Sequence, residues 1–311
     1  MKVLVTGARG FVGDALCRRL AAAGHEVTGL VRAAPDTVSW MRLAAAGDLE
    51  AVTDFAPFVA RQDAVVHLAA RVHMMRETAA DPEAAYRRAN VDVTRRLAEA
   101  GRAAGIGRFV FLSSIKVNGE ATAGKAFDET DPPAPEDAYG RSKLEAERAL
   151  ADIPGATILR TPLVYGPGVK ANFRALVRIC DTPLPLPFDG ITENRRSLLF
   201  LGNLTHAIEG VLGMPEAPQG PFLLADGDDL STAELVRRIR FSLGRRALPC
   251  PVPAAALKGV AALLGRRAAA DRLCGSLRID PGRFRTAFRW TPPYTVAQGL
   301  AATAAWYRAS S

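Results

Sequence analysis

The chain opens with Lys2-Val3-Leu4-Val5-Thr6-Gly7-Ala8-Arg9-Gly10-Phe11-Val12-Gly13, and this stretch decides its fold. The apolar run Lys2–Thr6 predicts a strand, and the apolar spacing over residues 14–23 predicts a helix directly after the glycines. Glycines lack a Cβ atom, so three of them spaced by two residues let the backbone turn sharply and approach a pyrophosphate. Free N–H groups at the start of the helix favour an anion at the same place. The opening therefore predicts a dinucleotide site.

Strand-like and helix-like segments alternate in the first half of the chain. Further strands are predicted at residues 25–31, 64–68, 109–112 and 157–160, and helices at 81–104 and 139–150. Such alternation requires right-handed crossovers and a parallel sheet. We therefore predict an α/β fold, a Rossmann-type doubly wound parallel sheet with a smaller α/β C-terminal substrate lobe.

Proline becomes frequent beyond Pro167, which marks the second lobe. Residues 1–166 are expected to form the dinucleotide-binding domain, with a helix at 196–212 and a strand at 221–225 returning to it. Residues 167–195 and 226–311 are then the substrate-binding lobe. The loop at 119–138 is long enough for a functional lid. The apolar segment 254–264 fits either a membrane-surface helix or a helix buried in the small lobe, and we favour burial.

The composition excludes several classes of protein. The chain has 311 residues, 49% hydrophobic and 23% charged, which is typical of a soluble globular protein. Its net charge of +8 is dispersed along the sequence, which disfavours a nucleic-acid partner. No apolar run reaches the ~18 residues of a membrane span, so we expect no membrane insertion. Four scattered cysteines favour reduced thiols, no metal site and a cytoplasmic location.

The end of the second strand carries information on the cofactor. Dinucleotide sites usually place an acid there to bind the ribose 2′-hydroxyl, but the sequence reads Gly29-Leu30-Val31-Arg32. Arg32, helped by Arg9, would complement a 2′-phosphate, which favours NADP(H) over NAD(H). The alternative is that both are ordinary solvated arginines.

A tyrosine and a lysine form the predicted catalytic pair. Tyr139 and Lys143 lie four residues apart on one helix face. A nearby ammonium and an oxidised nicotinamide would both lower the pKa of the phenol and make proton transfer feasible. Ser113 and Ser114 end a predicted strand at the carboxyl edge of the sheet, where either hydroxyl can bond a substrate oxygen.

Together these motifs resemble one known family. They are Thr6-Gly7-Ala8-Arg9-Gly10-Phe11-Val12-Gly13, Val65-Val66-His67-Leu68-Ala69-Ala70, Asn90-Val91, Ser113-Ser114-Ile115-Lys116-Val117-Asn118-Gly119, Tyr139-Gly140-Arg141-Ser142-Lys143, Tyr165-Gly166-Pro167-Gly168 and Arg289-Trp290-Thr291-Pro292. The chain resembles the extended short-chain dehydrogenase/reductases. It is most similar to the nucleotide-sugar branch, the UDP-sugar 4-epimerases and 4-ketohexose reductases.

The resemblance assigns roles to single residues. It implies Tyr139 as the catalytic acid/base, Lys143 as its pKa partner that also bonds the nicotinamide ribose, and Ser114 as the hydroxyl that orients the substrate C4 oxygen. The implied cofactor-binding residues are Gly7, Arg9, Gly10, Phe11, Val12, Gly13, Arg32, Leu68, Ala69, Ala70 and Asn90, together with Tyr139 and Lys143. The implied substrate-binding residues are Ser114, Asn172, Arg196 and Arg272, of which the two arginines would clamp the diphosphate.

The sequence departs from many epimerases at two places. Val31 stands where an acid is common after the second strand, and Asn118 where an aromatic precedes the glycine of the Ser-Ser segment. The first departure suits an exchangeable NADP(H) better than a retained NAD. For His67, one of four histidines in the chain, a structural role is favoured over metal or proton chemistry.

The leading hypothesis is NADPH-dependent reduction of a UDP-linked 4-keto-6-deoxy (N-acetyl)hexosamine for a cell-surface polysaccharide, with Tyr139 as proton donor. The alternative is an NAD-dependent UDP-hexose 4-epimerase. A second alternative is a non-catalytic dinucleotide-binding redox sensor, which would have no use for the proton-transfer residues. The resemblance also implies a homodimer packed through the helices at 81–104 and 139–150.

Overall fold

The computed structural model describes residues 1–33, 38–72, 80–263, 265 and 267–310. Within them the strands are β1 (Lys2–Thr6), β2 (Glu26–Val31), β3 (Arg42–Ala45), β4 (Ala64–His67), β5 (Arg108–Ser114), β6 (Ala156–Thr161), β7 (Leu163–Tyr165), β8 (Leu198–Phe200) and β9 (Gly220–Leu223). The helices are α1 (Phe11–Ala22), α2 (Ala56–Val59), α3 (Pro82–Tyr86), α4 (Val93–Ala103), α5 (Ala138–Ala149), α6 (Ala171–Cys180), α7 (Leu201–Gly213), α8 (Thr232–Ser242), α9 (Ala254–Leu263), α10 (Arg267–Cys274), α11 (Gly282–Phe288) and α12 (Val296–Ala309).

The larger sheet is parallel, in the order β3-β2-β1-β4-β5-β6-β9. The chain runs outward from β1 to β3 and then crosses back to β4 on the other side of β1. Thr6 pairs with Leu30 on one side and His67 on the other, so the carboxyl ends of three strands meet beside one another. A crevice opens at such a reversal of strand order. The predicted α/β, Rossmann-type sheet is confirmed.

Helices cover both faces of this sheet because successive side chains along each strand point to opposite sides. Val3 and Val5 pack with α1 and α7 in one core cluster, whereas Leu4 packs with α4 and α5 in another. Val3, Leu4 and Val5 are all fully buried. Both faces of β1 are therefore buried, and the chain leaves the strand at the carboxyl edge, after Thr6.

Three local features differ from the sequence prediction. β3 was not predicted, because its sequence Arg-Leu-Ala-Ala lacks β-branched residues. The single helix predicted at 81–104 is α3 and α4 joined by a π-helical turn, Arg87–Asp92. The segment predicted as a helix at 196–212 begins with β8, and only its later part is α7.

A second cluster of buried residues lies after β6. β7 and β8 form a small parallel sheet, and α6, α8 and α12 pack around it through Phe173, Val236 and Leu300. Meanwhile α7 packs on α1 and β9 pairs with β6, so the chain passes between the two clusters several times. The exact domain boundaries given above remain predictions.

The expectation that residues 254–264 are buried is wrong for the part that the structure describes. α9 contains no buried residue, and its large side chains Val260 and Leu263 are 56% and 89% exposed. Lys258 forms an ion pair with Asp271 of α10, 3.4 Å away, so α9 packs beside one short helix instead of entering the core. Among the described helices, none is long and apolar enough to cross a membrane.

Candidate active site

The glycines after β1 create a close turn at the carboxyl edge of the sheet. Gly7 has a φ of +68°, and a Cβ atom there would lie 2.9 Å from the Ala69 nitrogen. A Cβ atom at Gly13 would overlap the Gly7 carbonyl oxygen. Gly10 is the N-cap of α1 and provides no side chain to satisfy the first N–H groups of the helix. The turn therefore fits a dinucleotide pyrophosphate, whose oxygens would accept from those N–H groups.

The wall opposite this turn follows β4. The Thr6 hydroxyl accepts hydrogen bonds from the backbone nitrogens of Leu68 and Ala69, at 3.2 and 3.1 Å. These bonds hold the predicted cofactor-binding segment against the glycine turn. Leu68, Ala69 and Ala70 are each partly exposed, as residues that line an open crevice must be.

The predicted cofactor residue Phe11 also contacts the second cluster. Its ring lies 3.5 Å from the position that a Cβ atom at Gly168 would occupy, and it packs on the core that contains Tyr165 and Val169. Val12 packs at the edge of the first cluster. The start of α1 is thus held between the sheet and the second cluster.

Arg9 and Arg32 both lie exposed at the carboxyl edge, one in the glycine turn and one directly after β2. No ion pair joins either guanidinium to a carboxylate among the described residues. Val31, the last residue of β2, is buried. The position that carries an acid in many NAD sites is therefore apolar here, and two exposed arginines flank it.

Tyr139, Lys143 and Ser114 meet at the carboxyl end of β5. The phenol of Tyr139 is hydrogen-bonded to the Ser114 hydroxyl. The Lys143 ammonium lies 6.0 Å from the centre of the Tyr139 ring and donates a 2.9 Å hydrogen bond to the carbonyl oxygen of Leu112. Tyr86 contacts the Tyr139 ring edge-on, at 6.1 Å between ring centres. The three predicted catalytic residues are thus one constellation.

Burial sets the protonation of this pair in the ligand-free protein. It raises the pKa of Tyr139 above its ordinary value of 10.0, and the hydrogen bond from Ser114 opposes that shift only in part. It also lowers the pKa of Lys143 to about 7. The expected lowering of the phenol pKa by the ammonium is thus overridden, because desolvation disfavours both charged forms.

The two serines of β5 have different environments. The Ser113 hydroxyl is buried and donates to Glu147 Oε1 at 2.5 Å. Glu147 also pairs with Arg160, with Arg160 Nη2 to Glu147 Oε2 at 2.6 Å, and both side chains are about 5% exposed (5% and 6%). Only Ser114 faces the crevice, so it is the serine available to a substrate.

His67 and Asn90 have no free polar atom to offer a ligand. The ring nitrogens of His67 lie 2.6 Å from the Thr6 hydroxyl and 2.9 Å from the Thr94 hydroxyl, and burial lowers its pKa to about 3. Asn90 donates to Ser142 Oγ and to the Arg71 carbonyl, and accepts from the Arg71 nitrogen at 2.8 Å. Both residues support the walls of the site from behind.

The structure brings two of the predicted substrate residues together. Arg196 Nη1 donates to the carbonyl oxygens of Arg272, at 2.6 Å, and Gly275, at 3.1 Å. Burial and then the nearby Arg272 charge lower the pKa of Arg196 below its ordinary 12.5. Two close guanidiniums without a paired acid among the described residues can hold a diphosphate. Asn172 lies exposed near the start of α6, and no described contact joins it to the arginines.

Comparison with known proteins identifies the chain. The model of the NAD dependent epimerase/dehydratase family matches residues 3–222, which is well over half of the protein. The chain belongs to this family. The family match runs from β1 to β9 and therefore includes the glycine turn, Ser114, Tyr139 and Lys143. The predicted resemblance to extended dehydrogenase/reductases is confirmed.

Similar proteins within and around the epimerase/dehydratase family span nearly the whole chain. A UDP-glucose 4-epimerase from Vibrio cholerae is 40% identical over 309 residues, covering 97% of this chain and 94% of that protein. MoeE5, solved with UDP-glucuronic acid and NAD, is 26% identical with a TM-score of 0.76 and covers 100% of both chains. A UDP-N-acetylglucosamine 4-epimerase from Bacillus cereus, 21% identical, shares the fold at a TM-score of 0.79 and 99% coverage of each chain.

Three polar residues beside the epimerase/dehydratase constellation were not predicted. Asp137 caps α5, Lys116 lies in the turn after β5, and Glu120 follows in the loop. A sequence clue exists for Asp137 alone, because an acid directly before a helix is a favoured N-cap. The other two act through contacts that spacing along the chain does not reveal.

Proposed function

We propose that this protein is an NAD-dependent 4-epimerase of UDP-hexoses. The main observation in support is that Ser114, Tyr139 and Lys143 lie together at the sheet edge. The Arg196 and Arg272 pair is available for a diphosphate. The 40% identical relative from Vibrio cholerae is named a UDP-glucose 4-epimerase, which supports this choice over the reductase favoured from sequence.

The chain's own residues supply orientation and proton transfer. The Ser114 hydroxyl bonds the C4 oxygen of the hexose and keeps it beside the phenol oxygen. Tyr139 takes the proton of the C4 hydroxyl during oxidation and returns one to the same oxygen after the 4-keto sugar presents its other face. NAD, which the glycine turn and Lys143 would hold, would supply the hydride chemistry at C4. The Lys143 cation then stabilises the phenolate within the buried site.

The buried position of Lys143 would let cofactor binding change the charge of this lysine. In the ligand-free protein its pKa of about 7 leaves it only partly charged at neutral pH. The ribose hydroxyls of a bound dinucleotide would add hydrogen-bond acceptors for the ammonium and favour its charged form. The proton-transfer pair is thereby completed only when the cofactor is in place.

One observation favours a second function. Arg9 and Arg32 flank the end of β2, where Val31 stands in place of the usual acid, and this suits a 2′-phosphate. We retain as the second candidate an NADPH-dependent reductase of a UDP-linked 4-keto-6-deoxy (N-acetyl)hexosamine, using the same Tyr139 as proton donor. The solved neighbour MoeE5 carries NAD, so the expected preference for NADP(H) is a proposal tied to this candidate alone.

The cofactor that the protein retains on purification separates the two. Acid release of NAD at about one equivalent per chain, with interconversion of UDP-glucose and UDP-galactose and no consumption of added NADPH, is expected for the epimerase. Empty protein that oxidises NADPH with a UDP-linked 4-keto sugar would select the reductase. Both candidates would be rejected if the protein showed neither activity and Tyr139→Phe were indistinguishable from wild type in every assay.

Location and assembly belong to the same proposal. UDP-sugars and four free thiols suit the cytoplasm. We propose a homodimer packed through α4 and α5, and light scattering after size exclusion would test it by the mass in solution.

A further inference from the structure

Lys116 occupies a position between two carboxylates beside the catalytic constellation. Its ammonium nitrogen lies 2.6 Å from Glu120 Oε1 and 2.6 Å from Asp137 Oδ2. The Lys116 side chain is 22% exposed, and each carboxylate side chain is 26% exposed. A lysine bound by two carboxylates in a partly buried position loses side-chain conformational entropy. The small stabilisation that a surface ion pair gives does not offset this loss. The arrangement therefore calls for a role other than surface charge.

The backbone of Lys116 contacts the two segments that carry the Ser114 and Tyr139 hydroxyls. Its N–H donates to the Ser114 hydroxyl oxygen at 3.3 Å. Its carbonyl oxygen lies 2.8 Å from where a Cβ atom at Gly140 would be, so only glycine permits this approach. Gly140 directly follows Tyr139 in α5. The turn that carries Lys116 is therefore packed against the first turn of the helix that presents the phenol.

The side chain of Lys116 reaches the same helix through Asp137. Asp137 Oδ1 accepts a 2.7 Å hydrogen bond from the Gly140 nitrogen and so caps α5, while its other oxygen faces the ammonium. Tyr139 lies between Asp137 and Gly140 in the sequence. A shift of this cap moves the phenol relative to Ser114, and proton transfer is sensitive to such a shift.

We propose that Lys116 is a positioning residue that locks Tyr139 against Ser114 and neutralises the Asp137 carboxylate beside the phenol. The inference rests on the proposed role of Tyr139 as the acid/base. It adds a residue that touches neither the reacting atoms nor the cofactor.

The charges around the phenol explain the second half of this role. Among the residues that the structure describes, four groups face Tyr139: Asp137 before α5, Tyr86 from α3, Lys143 from α5 and Ser114 from β5. The Asp137 charge raises the pKa of the phenol, because an anion opposes a second anion nearby. Lys116 is a cation bonded directly to Asp137, and Arg141 also acts on Asp137 electrostatically. Removal of the Lys116 charge therefore strengthens the effect of that carboxylate on the phenol.

The same loop contains a matched control. Lys125 also contacts two carboxylates, Asp128 at 2.7 Å and Asp131 at 3.5 Å, but its side chain is 68% exposed. None of these three residues is joined to α5 by a described contact. Lys125→Met therefore removes an equivalent lysine from the same loop without touching the catalytic helix.

The test compares the pH dependence of turnover in Lys116→Met, Lys116→Arg and Lys125→Met, with UDP-glucose as substrate. Lys116→Met is expected to raise the apparent pKa of the limb of the pH–rate profile that is assigned to the phenol, by about 0.5 to 1 pH unit. It is also expected to lower kcat at neutral pH about 10-fold. KM is expected to stay within about 2-fold. Lys116→Arg keeps the charge and should recover most of kcat, whereas Lys125→Met should match wild type.

A double variant separates charge from folding. In Lys116→Met with Asp137→Asn, the cap survives because asparagine is a good N-cap, but the carboxylate charge beside the phenol is gone. The pH limb should return towards its wild-type position. A loss of kcat without any displacement of the limb, or no recovery in the double variant, would overturn the proposal.

Failure of the proposed function would look different. If wild type converted no UDP-hexose, the 4-epimerase proposal would fall. The phenol of Tyr139 would then be titrated at 295 nm with NAD bound, as the difference between wild type and Tyr139→Phe in a chain of five tyrosines. The inference about Lys116 requires that Lys116→Met raise the pKa of the Tyr139 phenol in this titration. An unchanged pKa contradicts it.

Discussion

The ammonium nitrogen of Lys143 donates a 2.9 Å hydrogen bond to the carbonyl oxygen of Leu112. This bond fixes a helix side chain to the strand that ends in Ser114, so the positions of Tyr139 and Ser114 are set by one rigid junction. Burial at this junction also costs the lysine part of its charge. The geometry and the electrostatics of the site therefore have a common origin.

Tyr139→Phe is expected to lower turnover by ~10²-fold or more, because the variant keeps the ring and loses the hydroxyl that transfers the proton. Ser114→Ala should lower it by about 10-fold or more through loss of an orienting hydroxyl. Steady-state rates with UDP-glucose measure both. Ser113→Ala is a poor control because Ser113 bonds buried Glu147, so Thr130→Ala in the exposed loop serves instead. Wild-type turnover in Tyr139→Phe would remove the mechanism.

Lys143→Met is expected to flatten the pH dependence of stability. The folded pKa of about 7 lies below the ordinary value of 10.5, so the unfolded chain binds more protons at this lysine between those values. The free energy of unfolding of ligand-free wild type should therefore rise with pH in this window, by at most ~1.4 kcal/mol per pH unit from this group. Urea titrations at pH 7 and pH 9 measure the slope. An equal slope in the variant would contradict the assignment.

Arg196→Met and Arg272→Met should weaken UDP binding, because each removes a cation from the proposed diphosphate clamp. A loss of about 10-fold or more in affinity is expected for each variant by calorimetry, as charge-assisted bonds to phosphate imply. Arg195 offers a matched control, since its exposed guanidinium bonds the carbonyls of Thr192 and Asn194. Arg195→Met binding UDP as weakly as the other two would show that general charge, and not the clamp, matters.

Arg32→Asp should change the choice of cofactor. A carboxylate after β2 can accept from a ribose 2′-hydroxyl and repels a 2′-phosphate. The dissociation constant of NADPH is expected to rise by ~10²-fold, while that of NAD falls or stays within about 3-fold. Nucleotide fluorescence titrations measure both constants. Arg18→Met, which breaks an exposed pair with Asp14 and a contact with the Trp40 ring, should alter neither constant. Parallel weakening of both nucleotides in Arg32→Asp would contradict the proposed ribose contact.

Glu147→Gln is expected to destabilise the protein by about 3 kcal/mol or more, because it leaves the buried Arg160 guanidinium without its anion. Denaturant unfolding measures the loss. On the same helix, Glu145 pairs with Arg87 at 3.6 Å in an exposed position, so Glu145→Gln should change stability by about 0.5 kcal/mol or less. Equal effects of the two variants would show that burial does not govern the pair.

Much of the fold followed from local sequence. The glycine turn, β1, α1 and the end of β5 were predictable because apolar periodicity and missing Cβ atoms dictate them residue by residue. β8 was not, since Leu198 to Phe200 reads equally well as the start of the helix that follows. Its pairing with β7 decides the matter, and that partner lies more than thirty residues away in sequence.

The site was predictable where chemistry is bound to residue type. Tyr139, Lys143 and Ser114 follow from a helical spacing and a strand end, and the structure joins them. The Arg196 and Arg272 pair came from resemblance alone. Lys116 and Asp137 remained hidden because their contact joins two turns across a loop of about twenty residues, and no periodicity records such a contact. The exposure of α9 was missed because apolar composition does not show whether a surface exists to cover it.

The ring of Phe11 near Gly168 has a kinetic consequence. A nucleotide on the proposed site at the first turn of α1 would lie beside this contact between the two core clusters. We expect its release to require that contact to loosen. The proposed 4-epimerase would then keep the same cofactor through many turnovers.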